Sequence, residues 1–281
     1  MNQEALLDWY ERNKRPLPWR LNPSPWSILL SEILLQQTQM ERGIEYHERL
    51  LKRFPTLSSM AESSVDDVLL LWQGAGYYSR ARRLHALSIE VVEAHGGVLP
   101  KTYEELLKLP GIGPYTAAAV ASIAYSEPVA CVDGNIRRVM ARQSNQEKPS
   151  MKDVQRFADK HLVIDAPSEW NQAMMELGAL VCKPRNPICD QCPVAETCSG
   201  RSRPHELPRP KTTKKTTVEY NCIVRIDENG APELQQRPQT GLFAGLWGPE
   251  MAMGLETTGC EFVGTIRHLL SHREICLLYT S

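Results

Sequence analysis

The feature that most restricts this chain is the octapeptide Leu-Pro-Gly-Ile-Gly-Pro-Tyr-Thr at positions 109–116. It packs a helix stop, a turn and a helix start into about six residues. Pro110 ends the helix carrying Leu106, Leu107 and Leu109, because the residue before a proline is pushed out of the helical region. Gly111 and Gly113 allow positive φ, and Pro114 suits the first turn of the next helix. The backbone N–H groups at that start are unblocked, which makes the turn an anion site that a DNA phosphate fits. A lone Gly-x-Gly is more often a plain helix–helix connection. The residues downstream raise the functional reading. Past an Ala-rich run to Tyr125 comes Cys131-Val-Asp-Gly-Asn-Ile-Arg-Arg, in which the acid Asp133 precedes Gly, Asn and two arginines.

Upstream, residues 2–13 read as a short helix and 14–25 as a Pro-rich aromatic loop containing Arg20. Trp26 to Thr38 is strongly apolar and holds one carboxylate, Glu32. Burying that glutamate charged would cost several kcal/mol unless its pKa rises and it takes a proton. A raised pKa is what a general acid near neutral pH requires. Taken without context, Glu32 reads more simply as the solvent side of an amphipathic helix. Gln36, Gln37 and Thr38 come next, with donors and acceptors able to meet base edges. In Gly74-Ala-Gly-Tyr-Tyr-Ser-Arg-Ala-Arg-Arg, two glycines expose backbone, Tyr77 and Tyr78 can stack or wedge, and three arginines can hold phosphates. Ser64, Thr102, Ser150 and Ser168 read as helix caps. About ten helices and no convincing strand are expected before residue 200.

At 281 residues the chain is long enough for two domains. A net charge of −1 excludes a bulk electrostatic nucleic-acid binder. DNA contact must then use local patches such as Arg80, Arg82 and Arg83, or Arg137, Arg138 and Arg142. No run reaches membrane-spanning length and no signal peptide opens the chain, so the reading is a soluble, cytoplasmic protein. Of eight cysteines, Cys182, Cys189, Cys192 and Cys198 have the spacing C-x6-C-x2-C-x5-C. Four thiolates this close are metal ligands, for zinc or for an iron–sulfur cluster. The single C-x2-C knuckle with wide arms favours wrapping a [4Fe–4S] cubane over a zinc site built from paired knuckles.

Residues 201–217 read as an extended basic linker able to lie along DNA. Beyond them the period changes to two. Val218, Tyr220, Cys222, Val224 and Ile226 alternate with more polar neighbours up to Asn229-Gly230, a hairpin signal. Leu234 to Arg237 and Phe262 to Arg267 read as further strands.

Five pieces, Ser-Glu-Ile-Leu-Leu-Gln-Gln-Thr-Gln (31–39), Trp-Gln-Gly-Ala-Gly-Tyr-Tyr-Ser-Arg-Ala-Arg (72–82), Leu-Pro-Gly-Ile-Gly-Pro-Tyr-Thr (109–116), Val-Asp-Gly-Asn (132–135) and the cysteine pattern, stand in order. Together they resemble the helix-hairpin-helix DNA glycosylase superfamily, and within it the adenine DNA glycosylases, over essentially the whole chain. The resemblance implies a mainly α, two-lobed fold over 1–200. A helix-hairpin-helix lobe would span about 21–130 and an iron–sulfur lobe 1–20 with 131–200, with the linker after them. Residues 218–281 resemble a partial α+β Nudix-like domain that reads the lesion. Its hydrolase signature is absent, so no pyrophosphatase activity is expected. Because the chain stops at Ser281 before such a sheet could close, that domain reads as truncated or partly disordered.

The activity implied is removal of adenine mispaired with oxoguanine in double-stranded DNA, by a monomer holding a [4Fe–4S] cluster. Glu32 matches the glutamate that protonates adenine, and Asp133 the aspartate that stabilises an oxocarbenium-like sugar. Tyr115 and Asn135 match supporting residues, and Arg20 a polar residue of the adenine pocket. Gln37 and Tyr77, with Gln36 and Thr38 alongside, match residues inserted near oxoguanine while adenine is flipped out. Gly111 and Gly113 form the phosphate-binding hairpin. In His268-Leu-Leu-Ser-His272, Ser271 matches a serine that contacts oxoguanine. Endonuclease III, a glycosylase/lyase, shares the hairpin, the aspartate and the cluster, but its Schiff base needs a lysine where this chain has Tyr115. The expectation is therefore a monofunctional enzyme. A lyase of that kind and a non-catalytic lesion-binding module are the alternatives.

Overall fold

A computed structural model describes residues 1–210, 216–238, 241–269 and 273–280, which fall into two compact units, Met1–Pro210 and Lys211–Ser281. In the first unit the order is α1 (Gln3–Asn13), α2 (Pro18–Leu21), α3 (Pro25–Leu34), α4 (Met40–Arg53), α5 (Leu57–Ala61) and α6 (Val65–Trp72). Then come α7 (Ser79–His95), α8 (Tyr103–Leu106), α9 (Pro114–Tyr125), α10 (Gly134–Gln143), α11 (Met151–His161) and α12 (Pro167–Leu180). That makes twelve helices among the described residues, against about ten read from the sequence. One addition is α2, a single turn inside what reads as a loop. The caps at Ser64, Thr102 and Ser150 form as their patterns predict. Ser168 does not cap: Pro167 takes the first helical position and Ala166 the cap, so the serine lies inside α12.

Two apolar cores organise this unit. One is built from α3 to α9 around Leu29, Leu34, Leu50, Trp72 and Leu84. The other gathers Leu6 from α1, Val139 from α10, and Trp170, Met174 and Leu177 from α12. Helix α9 belongs to both. Ala117, Val120 and Ala121 face the first core, while Ala118 and Ala119 face the second. A helix apolar on every side must be buried on every side, and its alanines let neighbouring helices approach from both. The Gly111 turn that opens α9 is thus anchored at the junction of the two cores.

Residues 201–210 do not run free as the linker reading expects. Leu207 is buried, and its carbonyl accepts from Arg142 Nε at 3.0 Å. Arg201 pairs with Asp190, and Arg203 and Arg209 with Glu147. A buried leucine and backbone hydrogen bonds, with half-exposed ion pairs beside them, dock a Pro-rich segment that composition alone reads as extended.

The second unit holds β1 (Thr216–Ile223), β2 (Gln235–Gln236), β3 (Trp247–Gly248), β4 (Glu250–Ala252), β5 (Phe262–Leu269) and β6 (Arg273–Thr280). A four-stranded sheet runs β4-β1-β6-β5, and β2 pairs with β3 separately. β1 is parallel to β6, a pairing the sequence did not show, and β5 is antiparallel to β6. The turn expected at Asn229-Gly230 is present, with Gly230 at φ 81 and Asp227 Oδ1 accepting from the N–H groups of Asn229 and Ala231.

Candidate active site

Helix α3 starts on the side-chain cap of Ser24 and Pro25 at its first position, then buries nine of its ten residues. It stops at Leu34 rather than running on to Thr38. Glu32 is among the buried residues, 8 % exposed, at the wall of a cleft of about 730 Å³. The solvent-face alternative is thereby excluded. Tyr115, in the first turn of α9, donates its hydroxyl to Glu32 Oε2 at 2.6 Å and lies 3.3 Å from Met175 Sδ. Burial pushes the Glu32 carboxyl up to about 7, helped by the charge of Asp133, while the Tyr115 hydrogen bond and Arg20 pull it down.

Asp133 caps α10. Its Oδ1 accepts from the Ile136 N–H at 2.7 Å and its Oδ2 from Asn135 Nδ2 at 2.7 Å. Such a cap contributes about 1 kcal/mol to the helix, and it fixes where the carboxylate points. Burial raises the Asp133 carboxyl above its ordinary range, against those hydrogen bonds and the charge of Arg138. The segment leading into Asp133 is held from behind. Buried Asn171 accepts from Cys131 N at 3.1 Å and donates to Ser122 Oγ and Val129 O. Asn135 in turn accepts from Arg138 Nη2 at 2.8 Å, and Arg138 Nε donates to Cys182 O at 2.7 Å. Three hydrogen bonds therefore join Asp133 to the first cysteine of the C-x6-C-x2-C-x5-C loop.

The opposite wall contains a carboxylate that the motif reading missed. Glu176 on α12 is 1 % exposed and accepts from Arg15 Nε at 2.7 Å, from Arg15 Nη2 at 2.9 Å and from Arg20 Nη2 at 3.1 Å. Burial alone would raise it, but the two guanidiniums outweigh burial and hold it at about 2. Arg20 also donates to Gln172 Oε1 at 2.9 Å. The signal was in the sequence: Glu176 is a lone acid in Ala-Met-Met-Glu-Leu-Gly-Ala-Leu, just as Glu32 is in its own apolar run.

Gln37, which lines the cleft, and Tyr77, which does not, are both exposed and both adopt left-handed backbone, at φ 65 and φ 47. Gln36 donates to Thr116 Oγ1 at 3.2 Å, and Gln36, Gln37 and Thr38 line the cleft with Arg20, Glu32, Tyr115, Asp133 and Asn135. Gly111 has φ 81, and a side chain there would press on Arg83. Gly113, by contrast, is extended at φ −99, so only one of the two glycines uses its freedom. Three arginines of the expected phosphate patches are internal struts instead. Arg80 and Arg142 are buried, and Arg138 is spent on Asn135, Gly178 and Cys182. Ser271 lies outside the described residues.

Cys182, Cys189, Cys192 and Cys198 line one small pocket under α10 and α12. Arg142 Nη1 donates to Cys182 Sγ at 3.2 Å and to the carbonyls of Cys182 and Lys183. Burial pushes the Cys192 thiol up to about 11 and raises Cys198 as well. Among the described residues no set of three or more His, Cys, Asp or Glu is arranged to hold a metal ion. The four thiols gather around one pocket, and the single C-x2-C knuckle with its wide arms favours a cubane over zinc there.

Comparison with known proteins agrees. Residues 30–162 match the HhH-GPD superfamily of base excision DNA repair proteins, and residues 182–198 the iron–sulfur binding domain of endonuclease III. An adenine DNA glycosylase of Rattus norvegicus is 32 % identical over 95 % of this chain and 67 % of its own length. The Homo sapiens enzyme of that name is 36 % identical over 86 % of this chain and 56 % of its own, so this chain spans little more than half of some relatives. One from Mycobacterium tuberculosis is 42 % identical over 70 % and 66 %. Among solved structures, a thermostable thymine-DNA glycosylase superposes with TM-score 0.66 at 26 % identity, over 71 % of this chain and 94 % of its own. A trapped endonuclease III–DNA covalent intermediate, at 23 % identity and TM-score 0.63 over 72 % and 94 %, shares the fold. The cofactor that fits the cysteine loop is a [4Fe–4S] cluster, which Cys182, Cys189, Cys192 and Cys198 would hold. By these matches, and by the hairpin, the paired acids and the cluster loop they cover, this chain belongs to the adenine DNA glycosylase family.

Proposed function

We propose that this protein is a monofunctional glycosylase that hydrolyses the N-glycosidic bond of adenine paired with oxoguanine or guanine in duplex DNA. The observation that carries the reading is the pair of acids in one cleft. Glu32 is buried, with its carboxyl pushed up to about 7, and Asp133 is oriented by Asn135 and the start of α10. Protonated Glu32 gives its proton to a ring nitrogen of the flipped adenine as the bond from base to sugar breaks, and the bonding electrons leave with the base. The ionised Asp133 faces the positive charge that develops on the sugar. A water then adds to the sugar carbon and returns its proton to Glu32, so the acid is restored and free adenine and an abasic site remain.

The reading without a lyase step has its own support. No lysine is among the described residues that line the cleft, and a Schiff base needs an amine. When bound, the cluster supplies a staple for the 182–198 loop and leaves the proton transfers to Glu32 and Asp133. The sheet unit is read as the Nudix-like part that inspects the lesion, and the protein as a cytoplasmic monomer on DNA. The test is single-turnover cleavage of duplexes pairing adenine with oxoguanine, guanine or thymine, beside a thymine glycol duplex, with borohydride present in a parallel set. Release of adenine opposite oxoguanine and guanine, with no trapped adduct, is expected. A borohydride-trapped protein–DNA adduct, or excision of thymine glycol instead, would overturn it.

A further inference from the structure

We propose that Arg80 is a positioning residue that locks the loops carrying Gln37 and Tyr77 into one rigid probe and ties that probe to the end of the Glu32 helix. Arg80 lies in the first turn of α7 and is 7 % exposed, although its motif reads as phosphate-binding. Its two terminal nitrogens divide the work. Nη1 donates to the carbonyls of Ile33 and Leu34, each at 2.9 Å, and to that of Gln36. Nη2 donates to Thr38 Oγ1 at 3.3 Å and to the carbonyls of Ala75 at 3.1 Å and Gly76 at 3.3 Å. The guanidinium also sits over the Trp72 ring at 5.3 Å and the Tyr77 ring at 5.7 Å.

Two physical problems meet at this point. The last carbonyls of α3 have no partner within their own helix, and a cation there complements the negative end of the helix dipole. Gln37 and Tyr77 hold left-handed backbone that residues with a Cβ adopt only when their surroundings over-determine it. One planar fork of donors answers both, because it spans acceptors on two segments more than 35 residues apart in sequence. A lysine has the charge but not the spread. Glu32 directly precedes Ile33, whose carbonyl Arg80 holds, so a displacement of either probe is felt at the acid.

What the probes touch rests on the glycosylase reading; the clamp does not. The test therefore has two arms, both on the full chain with its cluster. In the first, hydrogen exchange is compared between the native protein and Arg80→Lys. Exchange in the segments 33–38 and 73–78 should quicken together, by about tenfold, with segment 44–52 unchanged. Quickening of one segment alone, or of neither, would overturn the clamp. In the second, which needs no change at the buried arginine, Gln37→Ala, Tyr77→Ala and the double variant are titrated. The probe is a duplex carrying a non-cleavable 2′-fluoro-deoxyadenosine opposite oxoguanine. A rigid probe predicts that the double variant binds no more than about threefold worse than the weaker single. Losses that multiply would overturn it. Absence of adenine release by the native protein, with the exchange result intact, would sink the glycosylase reading and leave the clamp standing.

Discussion

Glu32 and Glu176 are both almost fully buried, both face one cleft, and are pushed in opposite directions. Burial is the larger influence on each, but Glu176 meets two guanidiniums while Glu32 meets a neutral phenol and another acid. The consequences for pH run in opposite senses. Glu176 is depressed from 4.5 to about 2, so its contribution is present above about pH 4.5 and lost as pH falls through 2. That amounts to about 3 kcal/mol over the interval. Urea unfolding from about pH 5 down to about pH 2 should show this loss, and Glu176→Gln should flatten it while lowering stability at neutral pH. Glu32 is raised, so its contribution is present below about 4.5 and lost as pH rises through about 7. The Tyr115 hydroxyl favours the charged form of Glu32. Tyr115→Phe should therefore move the alkaline limb of the rate profile upward by about one pH unit. An unmoved limb would show that the hydroxyl does not act on Glu32, and a limb that moves down that it favours the protonated form.

Among the helices, the approach of α10 to α12 sets the site. A Cβ at Gly178 would stand 2.5 Å from the Cβ of Asn135, far inside contact distance. Gly178→Ala should cost about 1–3 kcal/mol, lower the melting temperature, and slow adenine release more than the stability loss explains, since Asn135 orients Asp133. Unchanged release would mean that the helices adjust without moving Asn135. Arg138→Gln cuts the hydrogen-bonded path between Cys182 and Asn135, and should lower the release rate while the cluster absorbance stays. Loss of absorbance in step with activity would assign Arg138 to the cluster loop alone. At this scale the sequence was readable where the cause is local. The boxes at Ser64 and Ser150 and the bend at Gly111 all depend on residues a few positions apart. It misled where the cause is distant. Arg80 reads as a surface cation because its acceptors at Ile33 and Leu34 lie 47 and 46 residues away. Glu176 stands out as a lone acid in an apolar run, but no local pattern names its partners, because Arg15 and Arg20 come from the other end of the chain. The left-handed backbone at Gln37 and Tyr77 has no composition signal at all.

For the molecule as a whole, the cysteine loop closes the second core, with Val194 buried in it and Gln143 Nε2 donating to Val194 O at 3.0 Å. Freshly prepared protein should carry about four irons per chain. Oxidative removal of the cluster should release the loop, raise proteolysis within 182–198 and weaken DNA binding, with the α3–α9 core still folded. Zinc without iron would contradict this assignment. The period change at Val218 correctly announced a sheet, but not its order: β1 lies beside β6, and a strand pairing of residues 57 positions apart leaves no mark in either segment. In the proposed mechanism adenine release depends above all on the proton held by Glu32. Single-turnover release of adenine opposite oxoguanine, monitored from about pH 5 to about pH 9 for the native protein and Glu32→Gln, tests this most directly. Native release should fall about tenfold per pH unit above 7, and the variant should bind the duplex but release adenine at least about a hundredfold more slowly throughout. Native-like release by Glu32→Gln, or a native rate that climbs through pH 8, would contradict it.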